Sequence, residues 1–159
     1  MKDLKKIMFF AITIFTLAMS TSCSSDDSKE DENENAETDF IKFKYKDKEY
    51  KYEASFSSSE AINISGFEGI DNTYKNITLW LPLNATVGTH NVVFDSSNLT
   101  TTYQANFSFM PEFNNANATS GTITITKVTE RIEGTFNFSG TQGDKTFTVT
   151  EGSFSVERF

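Results

Sequence analysis

The chain carries one histidine, His90, and one cysteine, Cys23, among 159 residues. A proton relay of the Ser-His-Asp kind would have to run through His90. That residue lies in Gly88-Thr89-His90-Asn91-Val92, where a turn enters a strand. The setting reads as an exposed structural side chain. A zinc site needs several His or Cys ligands, and residues 40–159 offer only His90. A glycosidase needs a carboxylate pair across its substrate; none of the thirteen acids of residues 40–159 stands out by context. Asp71-Asn72 and Asn114-Asn115-Ala116-Asn117 supply oxygens but lack the spaced carboxylates of a calcium loop. They read as polar turns. The expectation is a domain that is not an enzyme and takes no cofactor or metal.

Candidates for binding remain. Trp80 falls in Ile77-Thr78-Leu79-Trp80-Leu81, on the face opposite its aliphatic neighbours. On an exposed face its indole would stack on a sugar ring or a partner protein; under a loop or second layer it would be cover. Met110-Pro111-Glu112-Phe113 is an apolar loop, readable as a binding tip or a core plug. Lys42 to Lys51 interleaves lysines with tyrosines, a pattern that can track single-stranded nucleic acid. It reads more plainly as the solvent face of a hairpin, and no nucleic-acid partner is expected. Asn-x-Ser/Thr triplets occur at Asn63, Asn76, Asn84, Asn98, Asn106, Asn117 and Asn137. They read as Asn/Thr-rich polar strand faces.

These residues sit behind an N-terminal address. Lys2, Lys5 and Lys6 precede the apolar run from Ile7 to Met19, which is too short to span about 30 Å of hydrocarbon and matches the h-region of a signal peptide. Ser20-Thr21-Ser22-Cys23 resembles a bacterial lipobox, with Ser22 in the small position and Ser20 departing from the usual Leu. The resemblance implies cleavage before Cys23 and lipidation of its sulfur. A competing small-x-small site, Ala18-Met19-Ser20, would leave Cys23 a free thiol. Residues 24–39 hold eight acids and one Lys, so they carry most of the net charge of −8. Such a run buries no apolar surface and is expected to be a disordered, extended tether. It is similar to the acidic signal that follows the lipidated Cys in Bacteroidota lipoproteins destined for the outer face of the outer membrane.

The rest, residues 40–159, must position whatever binds. With no second cysteine it has no disulfide, but 120 residues can bury a core without one. Period-two alternation recurs. Ile41, Phe43 and Tyr45, a turn at Lys46-Asp47-Lys48, then Tyr50, Tyr52, Ala54 and Phe56 make a hairpin. Ile62 and Ile64 mark a third strand. Ile77, Leu79, Leu81 and Leu83 share a face of a fourth, and His90 to Phe94 form a fifth. Tyr103, Ala105, Phe107 and Phe109 line a sixth, Ile123 and Ile125 a seventh, Ile132, Phe136 and Phe138 an eighth. In the ninth, the apolar parity of Phe147 and Val149 shifts by one to reach Phe154 and Val156. That shift predicts a β-bulge at Glu151-Gly152. About nine strands and no 3.6-residue period predict a single all-β domain, an antiparallel sandwich or barrel. A transmembrane barrel ending at Phe159 is disfavoured, because Glu157, Ser155 and Ser153 share that residue's face.

Ser120-Gly121-Thr122-Ile123-Thr124-Ile125-Thr126, then Gly134-Thr135-Phe136-Asn137-Phe138, then Val149-Thr150-Glu151-Gly152-Ser153-Phe154 resemble a set of Bacteroidota lipoproteins that carry a domain of unknown function. The resemblance implies a β-rich surface lipoprotein and brings no catalytic or ligand residues.

The organisation expected is a lipoprotein signal peptide over 1–22, a lipidated Cys23 and acidic tether over 23–39, and an all-β domain over 40–159. The function expected is a non-enzymatic extracellular binding or interaction module, anchored in the outer membrane by its N-terminal lipid and facing a glycan or envelope-protein partner. The alternative is a lipocalin-like carrier of a small apolar ligand in a Phe-lined barrel.

Overall fold

The computed structural model describes residues 38–158. Residues 1–22, expected as a signal peptide, together with Cys23, nearly all of the acidic run and Phe159, lie outside the described residues. From Phe40 onward the chain is a succession of strands in two antiparallel sheets.

The alternation at the start folds as expected. β1 (Phe40–Tyr45) and β2 (Lys48–Glu53) pair from Phe40↔Glu53 to Tyr45↔Lys48. Lys46 and Asp47 turn the chain with φ of +49° and +60°, the positive pair that a two-residue hairpin favours. The alternation of Tyr50, Tyr52, Ala54 and Phe56 is not one strand, however. It breaks at Ala54, and β3 (Ser55–Ser58) continues in the other sheet. Periodicity cannot register such a switch, because the same face stays apolar on both sides of it.

β4 (Ile62–Glu68), β5 (Lys75–Leu81), β7 (Gln104–Phe109) and β8 (Phe113–Asn117) follow β3 across a five-stranded sheet in the order β3-β4-β5-β7-β8. The six-stranded sheet runs β2-β1-β11-β10-β9-β6, with β6 (Gly88–Asn91), β9 (Ser120–Val128), β10 (Arg131–Gln142) and β11 (Lys145–Glu157). These two open sheets make a sandwich of eleven strands, not a closed barrel. The two strands beyond the expected nine are β3 and β8. The second replaces the polar turn read at Asn114-Asn115-Ala116-Asn117, and Phe113 and Ala116 from it enter the core.

Two strands are shorter than their apolar residues suggest. β5 ends at Leu81, and Leu83 lies beyond it, exposed. β6 ends at Asn91; Val92 is buried, but Val93 and Phe94 stand in solvent. In both cases the chain turns away at the end of its sheet before the apolar run is finished.

The core lies between the sheets and is mostly aromatic. Phe107 of the five-stranded sheet meets Phe43, Tyr45 and Phe147 of the other, with ring centroids 6.2, 5.0 and 5.2 Å apart. Phe113 meets Phe147 at 5.2 Å. Six Phe side chains are fully buried, each contributing about 1.5–3 kcal/mol, which explains how the domain holds without a disulfide.

The predicted bulge is present. Lys42 faces Ser153 but Lys44 faces Thr150, and Phe136 faces Gly152 but Phe138 faces Val149. β11 therefore carries one extra residue against both neighbours. Glu151 has φ of +49°, the left-handed turn by which the bulge restores Phe154 and Val156 to the core side.

Candidate functional site

Strand alternation divides the five-stranded sheet cleanly. Ile62, Ile64, Ile77, Leu79, Leu81, Ala105 and Phe107 face the core. The intervening residues lie on the opposite side, where Thr78, Gln104, Asn106 and Ser108 are nonetheless buried while Asn63, Ser65, Asn76 and Trp80 are half-buried, and the register arranges them in cross-strand rows. One row is Asn63–Trp80–Gln104, the next Ser65–Thr78–Asn106 continuing to Asn117, and the third Phe67–Asn76–Ser108. Ser55 and Ser57 of β3 extend the first two. No side chain in these rows is ionisable. The outer face of the other sheet is built differently, with ion pairs Lys44–Glu151 at 2.7 Å and Lys127–Glu133 at 2.8 Å.

Three of the seven Asn-x-Ser/Thr triplets are thereby explained, whereas Asn84 and Asn98 lie in loops and not on the strand faces expected. Asn63-Ile64-Ser65, Asn76-Ile77-Thr78 and Asn106-Phe107-Ser108 each place two polar groups on this face and one apolar residue in the core. The pattern is strand alternation in a face built from short amides and hydroxyls.

Much of the face is fixed by its own hydrogen bonds. The Asn106 amide donates to Asn117 Oδ1 at 3.0 Å, Thr78 Oγ1 donates to Asn76 Oδ1 at 3.0 Å, and Ser108 Oγ accepts from the Asn115 backbone at 2.9 Å. Gln104 is buried; its amide donates to the Asp95 carbonyl and to Thr102 Oγ1, both at 2.6 Å. Asp95 is in turn tied to Ser97 and Asn98. These hydrogen bonds, the one from the Ser97 hydroxyl foremost, hold its carboxyl below the usual carboxylate range. The loop before β7 is thus clamped beside the Trp80 row.

Trp80 itself is half-buried. It has neither the full cover of a second layer nor the exposure of a free surface ring. Its cross-strand neighbours are Asn63 and Gln104. At the opposite end of the face Phe67 is 62 % exposed and touches Tyr74, ring centroids 6.4 Å apart. The sequence gives no signal for Phe67, because it follows Gly66, beyond the Ile62 and Ile64 alternation that marks the third strand.

The other sequence candidates lie apart from this face. His90 stacks on Tyr103 and its Nε2 is 2.9 Å from the Thr86 carbonyl oxygen, so its ring is engaged in structure. Asp71-Asn72 sits in an exposed 3-10 turn, Asp71–Thr73. In the Met110–Phe113 segment Phe113 is core, and Glu112 binds Lys46 Nζ at 2.7 Å and the Tyr45 hydroxyl at 3.2 Å. The hydrogen bond from Lys46, joined by that from Tyr45, holds the Glu112 carboxyl below its usual range. That segment is a plug and not a tip. The lysines of the β1–β2 hairpin are largely spoken for, by Glu151, by Glu112, and by the rings of Tyr50 and Phe40. Two surface clefts of about 620 and 630 Å³ flank Phe40 and Lys51 on the six-stranded sheet, away from Trp80. Among the described residues no three His, Cys, Asp or Glu side chains cluster as a metal site would require, and no helix is long and apolar enough to cross a membrane.

Comparison with known proteins adds a family and no activity. Residues 38–156 match the family model of a domain of unknown function, DUF6252. No curated protein and no solved structure matches the chain.

Proposed function

Since the chain belongs to the DUF6252 family, we propose that it is a membrane-anchored lipoprotein whose β-sandwich is a non-enzymatic extracellular binding module. The anchor rests on sequence: the basic start, the short apolar run, and Cys23 as the only cysteine, followed at once by an acidic stretch. The likeness to Bacteroidota surface lipoproteins points the same way and directs the domain to the outer face of the outer membrane.

The observation that carries the binding role is the accessible part of the outer side of the five-stranded sheet, where Asn63, Ser65, Asn76 and Phe67 surround the half-buried Trp80 without a charge among them. An ordinary solvated surface mixes charges of both signs, as the opposite sheet does. A face that holds short amides, hydroxyls and aromatic rings without one charge suits a ligand that would be repelled by, or would have to desolvate, charged groups. The carrier alternative loses ground because the Phe rings that would line its cavity touch one another: Phe107 alone meets Phe43, Tyr45, Phe113 and Phe147.

Two experiments test the reading. Intact mass of the mature protein from its host, with Cys23→Ala as control and protease shaving of whole cells, reports the anchor. A chain cleaved before Cys23 and bearing acyl groups, lost in the variant and sensitive to shaving, is the expected result; an unacylated chain beginning at Thr21 overturns it. For the face, Trp80 is the only tryptophan, so its emission is a direct reporter. Envelope polysaccharide and envelope protein fractions are titrated separately into the full chain. A shift from either supports the face; none from both overturns it.

A further inference from the structure

We infer that the ligand of this face is an uncharged, extended glycan, seated on Trp80 at one end and Phe67 at the other. The inference rests on the binding-module reading above and names its ligand class.

Trp80 and Phe67 share the outer side of adjacent strands, since Trp80 faces Asn63 and Phe67 faces Asn76. They stand four residues apart along the strands, about 13 Å at the rise of a β-strand. Two aromatic platforms at that separation suit a chain of several rings better than a compact molecule. The clefts that would hold a compact ligand are on the other sheet.

The groups beside Trp80 match the edges of a sugar. The Asn63 amide makes no hydrogen bond among the described residues, and neither does the indole N–H. They belong to directly paired residues, whose Cβ atoms stand about 5 Å apart as cross-strand neighbours. An aromatic face takes the C–H side of a pyranose while the indole N–H and an adjacent amide take its hydroxyls. Gln104, on the other side, is held by Asp95 and Thr102 and acts as a fixed wall. Between the platforms lie Ser65 and Asn76, half-buried, polar and neutral, with Thr78 buried beneath them. An acidic polysaccharide or a charged protein surface would find no counter-charge there, and the absence of complementary charge disfavours both.

The test uses the full chain in a detergent without a sugar headgroup. Trp80 emission is followed against neutral polysaccharides (xyloglucan, mixed-linkage β-glucan, galactomannan, amylopectin) and against polygalacturonate and alginate. A saturable shift with at least one neutral polymer and none with the acidic ones is expected. Phe67→Ala, at an exposed site that leaves folding intact, weakens that binding about tenfold. Trp80→Ala abolishes it by calorimetry, with its unfolding midpoint measured in parallel and Trp80→Phe retaining partial binding. If only acidic polymers bind, or no polymer does, the glycan inference is overturned. If an envelope protein fraction nevertheless shifts Trp80, the binding-module reading stands without it.

Discussion

The rings of His90 and Tyr103 lie stacked, with centroids 3.9 Å apart and planes 6° from parallel. His90 belongs to β6, the edge of the six-stranded sheet, and Tyr103 opens the approach to β7 in the other sheet. Around the stack, Thr86 donates its backbone N–H to the Tyr103 hydroxyl, His90 contacts the Thr86 carbonyl, and Val93 donates to the Tyr103 carbonyl. One ring pair therefore ties the two sheets at an edge. An aromatic pair of this kind contributes about 0.5–1.5 kcal/mol beyond area burial. We expect His90→Ala to lower stability by about 1 kcal/mol and His90→Phe, which keeps the stack, to recover most of it. Urea midpoints of the three chains decide this; an unchanged midpoint in the alanine variant would mean the stack carries nothing.

Tyr52 predicts a gain in place of a loss. Its side chain is buried on the inner side of β2, and its hydroxyl makes no hydrogen bond of ordinary geometry, although the Glu68 carboxylate stands beside it. Burial, and then the Glu68 charge beside it, push its ionisation above that of a free phenol. An unsatisfied buried hydroxyl costs about 1–3 kcal/mol. Tyr52→Phe should therefore be neutral to stabilising, by up to about 1 kcal/mol. The pH dependence has a definite sign. A raised folded pKa contributes stability that is present below the unfolded value of 10.0 and is lost as pH rises above it. Wild type should weaken on going above pH 10 more steeply than the variant. Parallel alkaline curves would show that Tyr52 is solvated or partnered.

How far the sequence disclosed these features depends on where side-chain alternation was the whole story. The strands with strict alternation, Ile41 to Tyr45 and Ile77 to Leu81, were legible, and so was the bulge, because inserting one residue reverses parity in a way the letters record. The crossing at Ala54 was not, since a strand that changes sheets keeps its apolar face. β8 was hidden because its bulge at Asn114-Asn115, where Asn115 has φ of +52°, breaks the alternation between Phe113 and Ala116. The candidate face was half-legible. Trp80 and three of the Asn-x-Ser/Thr triplets marked it, but the absence of charge across whole rows emerges only when five strands are set in register.

Acid should act on the turn that β1 and β2 share with the Met110–Phe113 segment. Glu112 is depressed by the hydrogen bonds from Lys46 and Tyr45. A depressed folded pKa contributes stability that is present above the unfolded value of 4.5 and is lost as pH falls through the folded one. Glu112→Gln should therefore be less stable than wild type at neutral pH, and the difference should shrink below pH 4.5. Salt should narrow it as well, because Lys46 is exposed and the pair is screened. Thermal unfolding at several pH values is the measurement; a difference that is constant with pH would assign the loss to packing of the Gln and not to the charge.

The glycines of the β10–β11 hairpin are occupied space, which yields the sharpest stability prediction. Across the β10–β11 ladder Gly134 faces Phe154, Phe136 faces Gly152, and Gly140 faces Phe147. Each pair sets a bare backbone opposite a Phe ring, and the ring lies down over the glycine. A Cβ at Gly134 would stand 2.8 Å from Phe154 Cζ and would also strike the Thr124 carbonyl; one at Gly152 would stand 2.6 Å from Phe136 Cγ. The ring covers backbone that a glycine leaves bare, and the glycine leaves room for the ring, so neither residue can change alone. Gly134→Ala should cost about 1–3 kcal/mol by overpacking, and Phe154→Leu about as much by leaving a void. The double variant should cost less than the sum, because the smaller side chain makes room for the new methyl. Additive losses in a double-mutant cycle would show that the glycine answers to the Thr124 carbonyl alone, and that the Gly–Phe pairing is incidental to the ladder.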